Sequence, residues 1–341
     1  VLLYWLHGGM PADARVLLEY STDYQITWKP IASNVLATAR EYLWDVSGLP
    51  LSLGLNWRVV YEGNTNVWDV TDEPVVVKSG TYDYFVNDAS ITNDVYCAGP
   101  GLPCGVANPT NPATPVDSLV CLFANFPVGA GDRVFVDTGT YTLPHATSVT
   151  IRDRNTGTTE FPLTILGSTN YAAGGSLLMG NGSANGIHLL NTRNIILRDL
   201  RVGHFLNGVF LQNVSGATLE GLELFNNATN GVAVSGSSGI TFRNGRIWAN
   251  RNFGYQCESM GGDQILNSTF WGNANGAIWA RVGLVVSNTI LCTTSAVPVY
   301  TENGPGAVIS GNFNLYGLAS GSVIGTNTSK TVAYEKLSQW Q

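Results

Sequence analysis

The chain has 341 residues, enough for two domains, with 39 glycines, 12% charged residues and a formal net charge of −7. No Lys/Arg run interrupts the acidic balance, which argues against a nucleic-acid-binding surface. No apolar stretch is long enough to span a bilayer and no signal peptide is visible; a start at Val1 fits a leader that was removed or never included.

Residues 1–78 read as short strands separated by turn residues: Val1 to Leu6, Arg15 to Tyr20, Gln25 to Ile31, Glu41 to Val46, Asn56 to Tyr61 and Pro74 to Val77. Trp5, Trp28, Trp44, Trp57 and Trp68 recur among them. Runs at this spacing predict a β-sandwich over about 1–80. The phrases Leu18-Glu19-Tyr20-Ser21-Thr22-Asp23 and Thr27-Trp28-Lys29-Pro30-Ile31-Ala32 resemble bacterial immunoglobulin-like or fibronectin-III-like modules. Tyr24-Gln25 stands where those modules carry a glycine pair, so the hairpin tip differs, and a first strand is missing before Val1.

Tyr82 to Asp88 reads as the strand that opens a second domain, 81–341. Cys97 and Cys104 then bracket a Gly/Pro loop, and their closeness in sequence predicts a Cys97–Cys104 disulfide and an oxidising compartment. Cys121 and Cys257 read as buried small hydrophobes, Cys292 is left open, and no spacing fits zinc. Residues 116–126, within a capping segment of about 112–128, are the best helix candidate, with Thr114 or Asp117 at its start. The stretch Gly129-Ala130-Gly131-Asp132-Arg133-Val134-Phe135-Val136-Asp137-Thr138-Gly139-Thr140-Tyr141 resembles a common β-helix entry, in which a small helix covers the open end of the first coil.

The strongest signal follows. Gly186, Gly208, Gly231, Gly254 and Gly276 recur at 22- or 23-residue intervals, four of them preceded by Asn. A fixed period in this range marks a stacked repeat in which each coil buries its apolar edge against the next. After each corner the chain alternates with period 2, as in Ile187 and Leu189, Val209 and Leu211, Val232 and Val234, Tyr255 and Cys257, and Ala277 and Trp279, all expected to point inward. Two further short strands complete each coil. Asn-Gly at the bends is expected to supply the left-handed conformation.

Strand, bend, strand, bend, strand at about 22 residues per turn resembles the right-handed parallel β-helix of the pectin-lyase-like superfamily. The resemblance is strongest over 182–291, extends from Val134 to Ile324, and implies an all-β chain: an N-terminal β-sandwich followed by a right-handed single-stranded parallel β-helix with a short capping helix. Val323-Ile324-Gly325 and 334–341 resemble the exit segment of bacterial surface β-helix proteins. Both ends read as cut from something longer, so further domains or self-assembly are expected partners, at the cell surface or secreted.

Aligned coils place Arg198, Glu220 and Arg243 in one column and Arg201, Glu223 and Arg246 in another. Neighbouring strands lie about 4.8 Å apart, so alternating signs predict two structural ion-pair ladders and no catalysis. The strip after the Asn-Gly corners is different. Its outward positions include His188, Phe210, Gln212, Gln256 and Glu258, with Arg281 beside Glu258 and Asp263 just beyond. Phe210, Trp248, Trp271 and Trp279 are aromatic candidates. Polar groups next to a stacking surface suit a polysaccharide, with Phe210, Gln212 and Gln256 as binding residues. Hydrolysis would use Glu258 and Asp263 as the paired carboxyls; elimination from a uronate would use Arg281 with His188 or His204. The tight motifs of β-helix pectinases, such as adjacent aspartates or Gly-His-Gly, are absent. The alternative function is a non-catalytic structural or adhesive protein.

No cofactor is expected. Ca²⁺ would sit near Asp83, Asp88 and Asp94, or near Asp132 and Asp137, but no loop has EF-hand spacing and turn aspartates account for these residues without a metal. The Asn-x-Ser/Thr triplets at Asn181, Asn213, Asn227, Asn267 and Asn327 read as chance in an Asn-rich chain.

Overall fold

The computed structural model describes residues 1–22, 25–46, 48–49, 52–71, 75–77, 80–293, 298–301, 309–312, 314–317, 325–327 and 333–334. Tyr24 of the expected hairpin tip lies outside these, as do Val323, Ile324 and 335–341 of the expected exit segment. The chain forms two compact units, Val1–Thr81 with Asn125–Pro127, and Tyr82–Ala124 with Val128–Gln341.

The first unit is built from antiparallel strands. Lys29–Leu36, Arg15–Ser21, Ser52–Tyr61 and Trp68–Val70 form one sheet in that order, and Leu2–Tyr4 pairs with Glu41–Leu43. Leu3, Trp5, Val16, Leu18, Trp44 and Leu55 share one buried core. The expected strand Gln25 to Ile31 begins instead at Lys29 and runs to Leu36. Trp68 is half exposed, so only some of the tryptophans serve the core.

The second unit winds into three parallel sheets. Sheet I holds Ile187–Leu190, Val209–Gln212, Val232–Ser235, Phe253–Glu258 and Gly276–Ala280; sheet II holds Ile195–Arg198, Thr218–Glu220, Thr241–Arg243 and Asp263–Leu266; sheet III holds Leu200–Gly203, Glu223–Phe225, Arg246–Trp248 and Thr269–Trp271, each continuing in both directions. In sheet I, Ile187 pairs with Val209, Val209 with Val232, Val232 with Tyr255 and Tyr255 with Ile278, so each winding takes 22 or 23 residues. The interior is a set of apolar columns: Leu197, Leu219, Phe242 and Ile265 from sheet II face Val202, Leu224, Ile247 and Phe270 from sheet III, all fully buried. Each such side chain contributes roughly 1.5–3 kcal/mol.

The corner glycines do a different job from the one expected. Gly186, Gly208, Gly231 and Gly254 are absent from the positive-φ residues, and Gly276 is the only one of the five among them. They are needed for space. A Cβ on Gly208 would stand 2.7 Å from the Gly231 carbonyl oxygen, and one on Gly254 would stand 2.5 Å from the Phe270 ring. The left-handed corners lie elsewhere, in four columns: Asn191, Asn213 and Gly236; Asn194, Gly216, Gly239 and Gly262; Asp199, Gly221, Asn244, Asn267 and Asn288; and His204, Asn226, Ala249 and Gly272. His204 is therefore a corner residue. An Asn beside each of these glycines stacks instead: Asn207, Asn230, Asn252 (two residues before Gly254) and Asn275 each donate an amide hydrogen bond of 2.8–3.0 Å to the Asn one winding earlier. Asn227, Asn250 and Asn273 make a second, fully buried ladder that satisfies backbone donors inside the solenoid.

The N-terminal end is capped as the pattern predicts, with two corrections. Asp83–Val86 pairs in parallel with Arg133–Val136 and is the last strand of sheet II. The helix Leu119–Asn125 buries Leu119, Leu122 and Phe123. The side chain that caps it is Ser118, whose hydroxyl accepts from Cys121 N at 3.2 Å, in place of Thr114 or Asp117. The expected Cys97–Cys104 disulfide is overturned: Cys104 bonds Cys121, and Cys97 is a free thiol. The helix brings Cys121 to a Cα–Cα distance of 5.9 Å from Cys104, while the backbone N–H of Cys97 is held by Asp137 and its thiol lies against the Val86 carbonyl. The aspartates considered for Ca²⁺ have local partners. Asp83 binds Arg133, Asp132 accepts from Tyr82 and Gly129, and Asp137 accepts from Val95, Tyr96, Cys97 and Thr138. Among the described residues no group of three metal-binding side chains occurs.

Candidate functional site

The outward face of sheet I carries two parallel rows. The first runs His188, Phe210, Ala233, Gln256 and Trp279 through direct register pairs. The second runs Leu190, Gln212, Ser235 and Glu258. Cys257 pairs with Ala280, so Arg281 continues the second row beside Glu258. At about 4.8 Å per strand, His188 and Trp279 are roughly 19 Å apart.

Trp279 is outward, where the spacing predicted inward. Gly276 pairs with Phe253 and not with Gly254, so the last regular winding is one residue out of step with the Asn-Gly motif. In a strand, one residue of slip reverses every side chain. Ile278 and Ala280 are therefore fully buried and Trp279 is part-exposed.

Local bonds fix the rows. The His188 imidazole lies 3.2 Å from the Gln212 carbonyl oxygen and stacks on Phe210 with ring centroids 5.0 Å apart. Burial lowers its pKa, against the hydrogen bond that the Gln212 oxygen accepts. Gln256 accepts from Asn230 at 2.8 Å and donates to Glu258 at 3.1 Å. The amide ladder thus orients Gln256, and Gln256 orients the carboxylate. Arg281 is exposed, and its N–H donates to the Cys257 carbonyl.

The structure sets two of the expected catalytic residues, Asp263 and His188, apart from Glu258. Asp263 is 1% exposed and faces the interior. Gly261 and Gly262, at φ of 109° and 79°, turn the chain into sheet II, and Asp263 is the first inward residue of its strand. Its Oδ1 accepts from Ile240 N at 2.9 Å, and its Oδ2 lies 3.4 Å from both the Tyr255 hydroxyl and the Cys257 thiol. Burial pushes its pKa up, against these hydrogen bonds. His188, expected to act with Arg281, stands three strands from Gln256, roughly 14 Å away, and so lies apart from both Glu258 and Arg281. The structure brings together Gln256, Glu258, Trp279 and Arg281, and separately His188, Phe210 and Gln212.

Both charged columns form ion-pair ladders. Glu220 takes Arg198 at 2.7 Å and Arg243 at 3.0 Å, and Glu223 takes Arg201 at 2.7 Å and also Arg246. Burial of Glu220 opposes its charge, but the two guanidiniums outweigh it and hold its pKa below the usual carboxylate value. Trp248 and Trp271 project from sheet III, on a different face from the strip.

Residues 185–331 match the family model described as "Right handed beta helix region", so the windings of sheets I to III are a right-handed parallel β-helix. A comparison with curated proteins gives no match. Similar solved structures include pectate lyase Pel9A, with 16% identity, TM-score 0.49 and coverage of 73% of this chain and 62% of that one. A rhamnogalacturonan lyase gives 13%, 0.48, 72% and 66%. An alginate lyase from Paenibacillus sp. str. FPU-7 gives 16%, 0.41, 60% and 94%. The chain spans less than two thirds of the length of the first two. At these identities the likeness is one of fold.

Proposed function

We propose that the outward face of sheet I binds an extended extracellular polysaccharide. The observation that carries this reading is the register of the rows: rings and amides, with one carboxylate and one guanidinium, stand at one-strand intervals along one part-exposed strip. A chain of sugar rings needs that combination, with flat surfaces for its C–H faces and fixed polar groups for its hydroxyls. The Cys104–Cys121 disulfide supports an oxidising compartment outside the cytosol.

Binding is favoured over hydrolysis. Two carboxyls must flank a glycosidic bond, and among the described residues of the strip Glu258 is the sole carboxylate. The chemistry left to the strip is elimination from a uronate: Arg281 would neutralise the sugar carboxylate and Glu258 would take the C5 proton, while the C4–O bond breaks and the departing oxygen takes a proton from water. A purely structural role is the second reading, supported by the bonds that Gln212 and Gln256 already make within the strip.

The test is a titration with uronate-containing and neutral oligosaccharides, followed for new reducing ends and for the ultraviolet absorbance of unsaturated uronate. Gln256→Ala and Trp279→Ala are each expected to weaken binding about 10-fold, roughly 1.4 kcal/mol. Equal affinity in both variants, or no binding across the panel, leaves the structural reading.

A further inference from the structure

Sheet III carries a second outward face, also with two rows in register. One row is charged: Arg201 pairs with Glu223 and Glu223 with Arg246. The other is aromatic: Phe225 pairs with Trp248 and Trp248 with Trp271. The rings are stacked, with centroids 4.9 and 6.0 Å apart and interplanar angles of 8° and 24°. Exposure rises along the row, from 7% at Phe225 to 58% at Trp271. The next residues in register are Cys292 and Gly317. Neither has a ring, so among the described residues the column ends on the Trp271 indole.

The charged row is unbalanced. Arg201 is fully engaged, with Nε on Glu223 at 2.7 Å, Nη1 on the Gly174 carbonyl at 2.8 Å and its guanidinium 5.7 Å from the Phe225 ring centroid. Arg246 shares the same carboxylate, yet its side chain is 63% exposed. Two guanidiniums share the Glu223 carboxylate, and that of Arg246 is the one turned to solvent. An ion-pair ladder accounts for Glu223. It does not account for a bare-ended aromatic column running beside the more exposed of the two arginines.

We infer that the outward face of sheet III is a second, non-catalytic binding strip for a uronate-bearing polysaccharide. One pyranose ring of the chain stacks on Trp271 as the next rung of the column, and the carboxylate of a neighbouring sugar is taken by Arg246, one winding away. A guanidinium meets a carboxylate with two parallel N–H donors, which gives this strip its preference for uronates over neutral sugars. The inference stands independently of the reading of sheet I.

The full chain is titrated calorimetrically with a galacturonate hexamer and, separately, with a glucose hexamer. Trp271→Ala and Arg246→Gln alter exposed side chains, and each is expected to weaken one class of galacturonate site at least 10-fold while unfolding as the wild type does. Gln256→Ala on sheet I is expected to leave that class intact. Wild-type titration curves in both sheet III variants would overturn the inference, as would equal affinity for the neutral hexamer or no galacturonate binding at all. Loss in Gln256→Ala alone would sink it while sparing the sheet I reading. Loss in the sheet III variants alone would uphold it and remove sheet I.

Discussion

Glycine and alanine at the corners separate two physical demands that look alike in sequence. Gly208 answers a steric demand, so Gly208→Ala forces its Cβ against the Gly231 carbonyl and Asn227. A cost of about 1–3 kcal/mol is expected, read as a lower urea midpoint with an unchanged slope. Ala249 has the opposite problem, because it sits at φ 54° in a column otherwise held by His204, Asn226 and Gly272. Ala249→Gly should stabilise by about 1 kcal/mol in the same measurement. Asp263 sets a pH dependence. Its folded pKa is raised, so its contribution is fully present below the unfolded value of about 3.9 and is lost as pH rises through the folded value. Wild type should therefore lose stability relative to Asp263→Asn across that window; parallel stability curves would remove the assigned burial cost.

At the scale of elements, the period of the corners was enough to read the solenoid, because strand pairing repeats whatever the side chains are. The Arg/Glu columns were legible for the same reason, since residues 22 or 23 apart meet across one strand spacing. What was not legible came from local shifts in register and from contacts between distant segments. A single extra residue, Ala277, between the Asn275-Gly276 pair and Ile278 keeps the motif visible while turning Trp279 outward. The Gly261–Gly262 turn hides Asp263 although it is only five residues from Glu258 in sequence. Cys104 bonds a residue presented by the capping helix, which loop spacing cannot foresee. Peptide mapping without reduction should recover Cys104 linked to Cys121 and alkylate Cys97; a Cys97–Cys104 peptide would refute the cap. Cys104→Ser should cost about 2–4 kcal/mol, and Cys97→Ser far less.

In the second unit, the β-helix turns a repeat of 22 or 23 residues into straight rows of side chains, and the proposed glycan strip is a pair of such rows on sheet I. Candidate residues of the strip were readable as a row but not as a cluster, because distance along the rows depends on winding number and not on chemistry. Oxidative footprinting with and without a bound polysaccharide tests the binding face most directly. The account predicts protection of His188, Phe210 and Trp279 when the glycan is present. Oxidation of all three at unchanged rates, while the glycan remains bound, would contradict it.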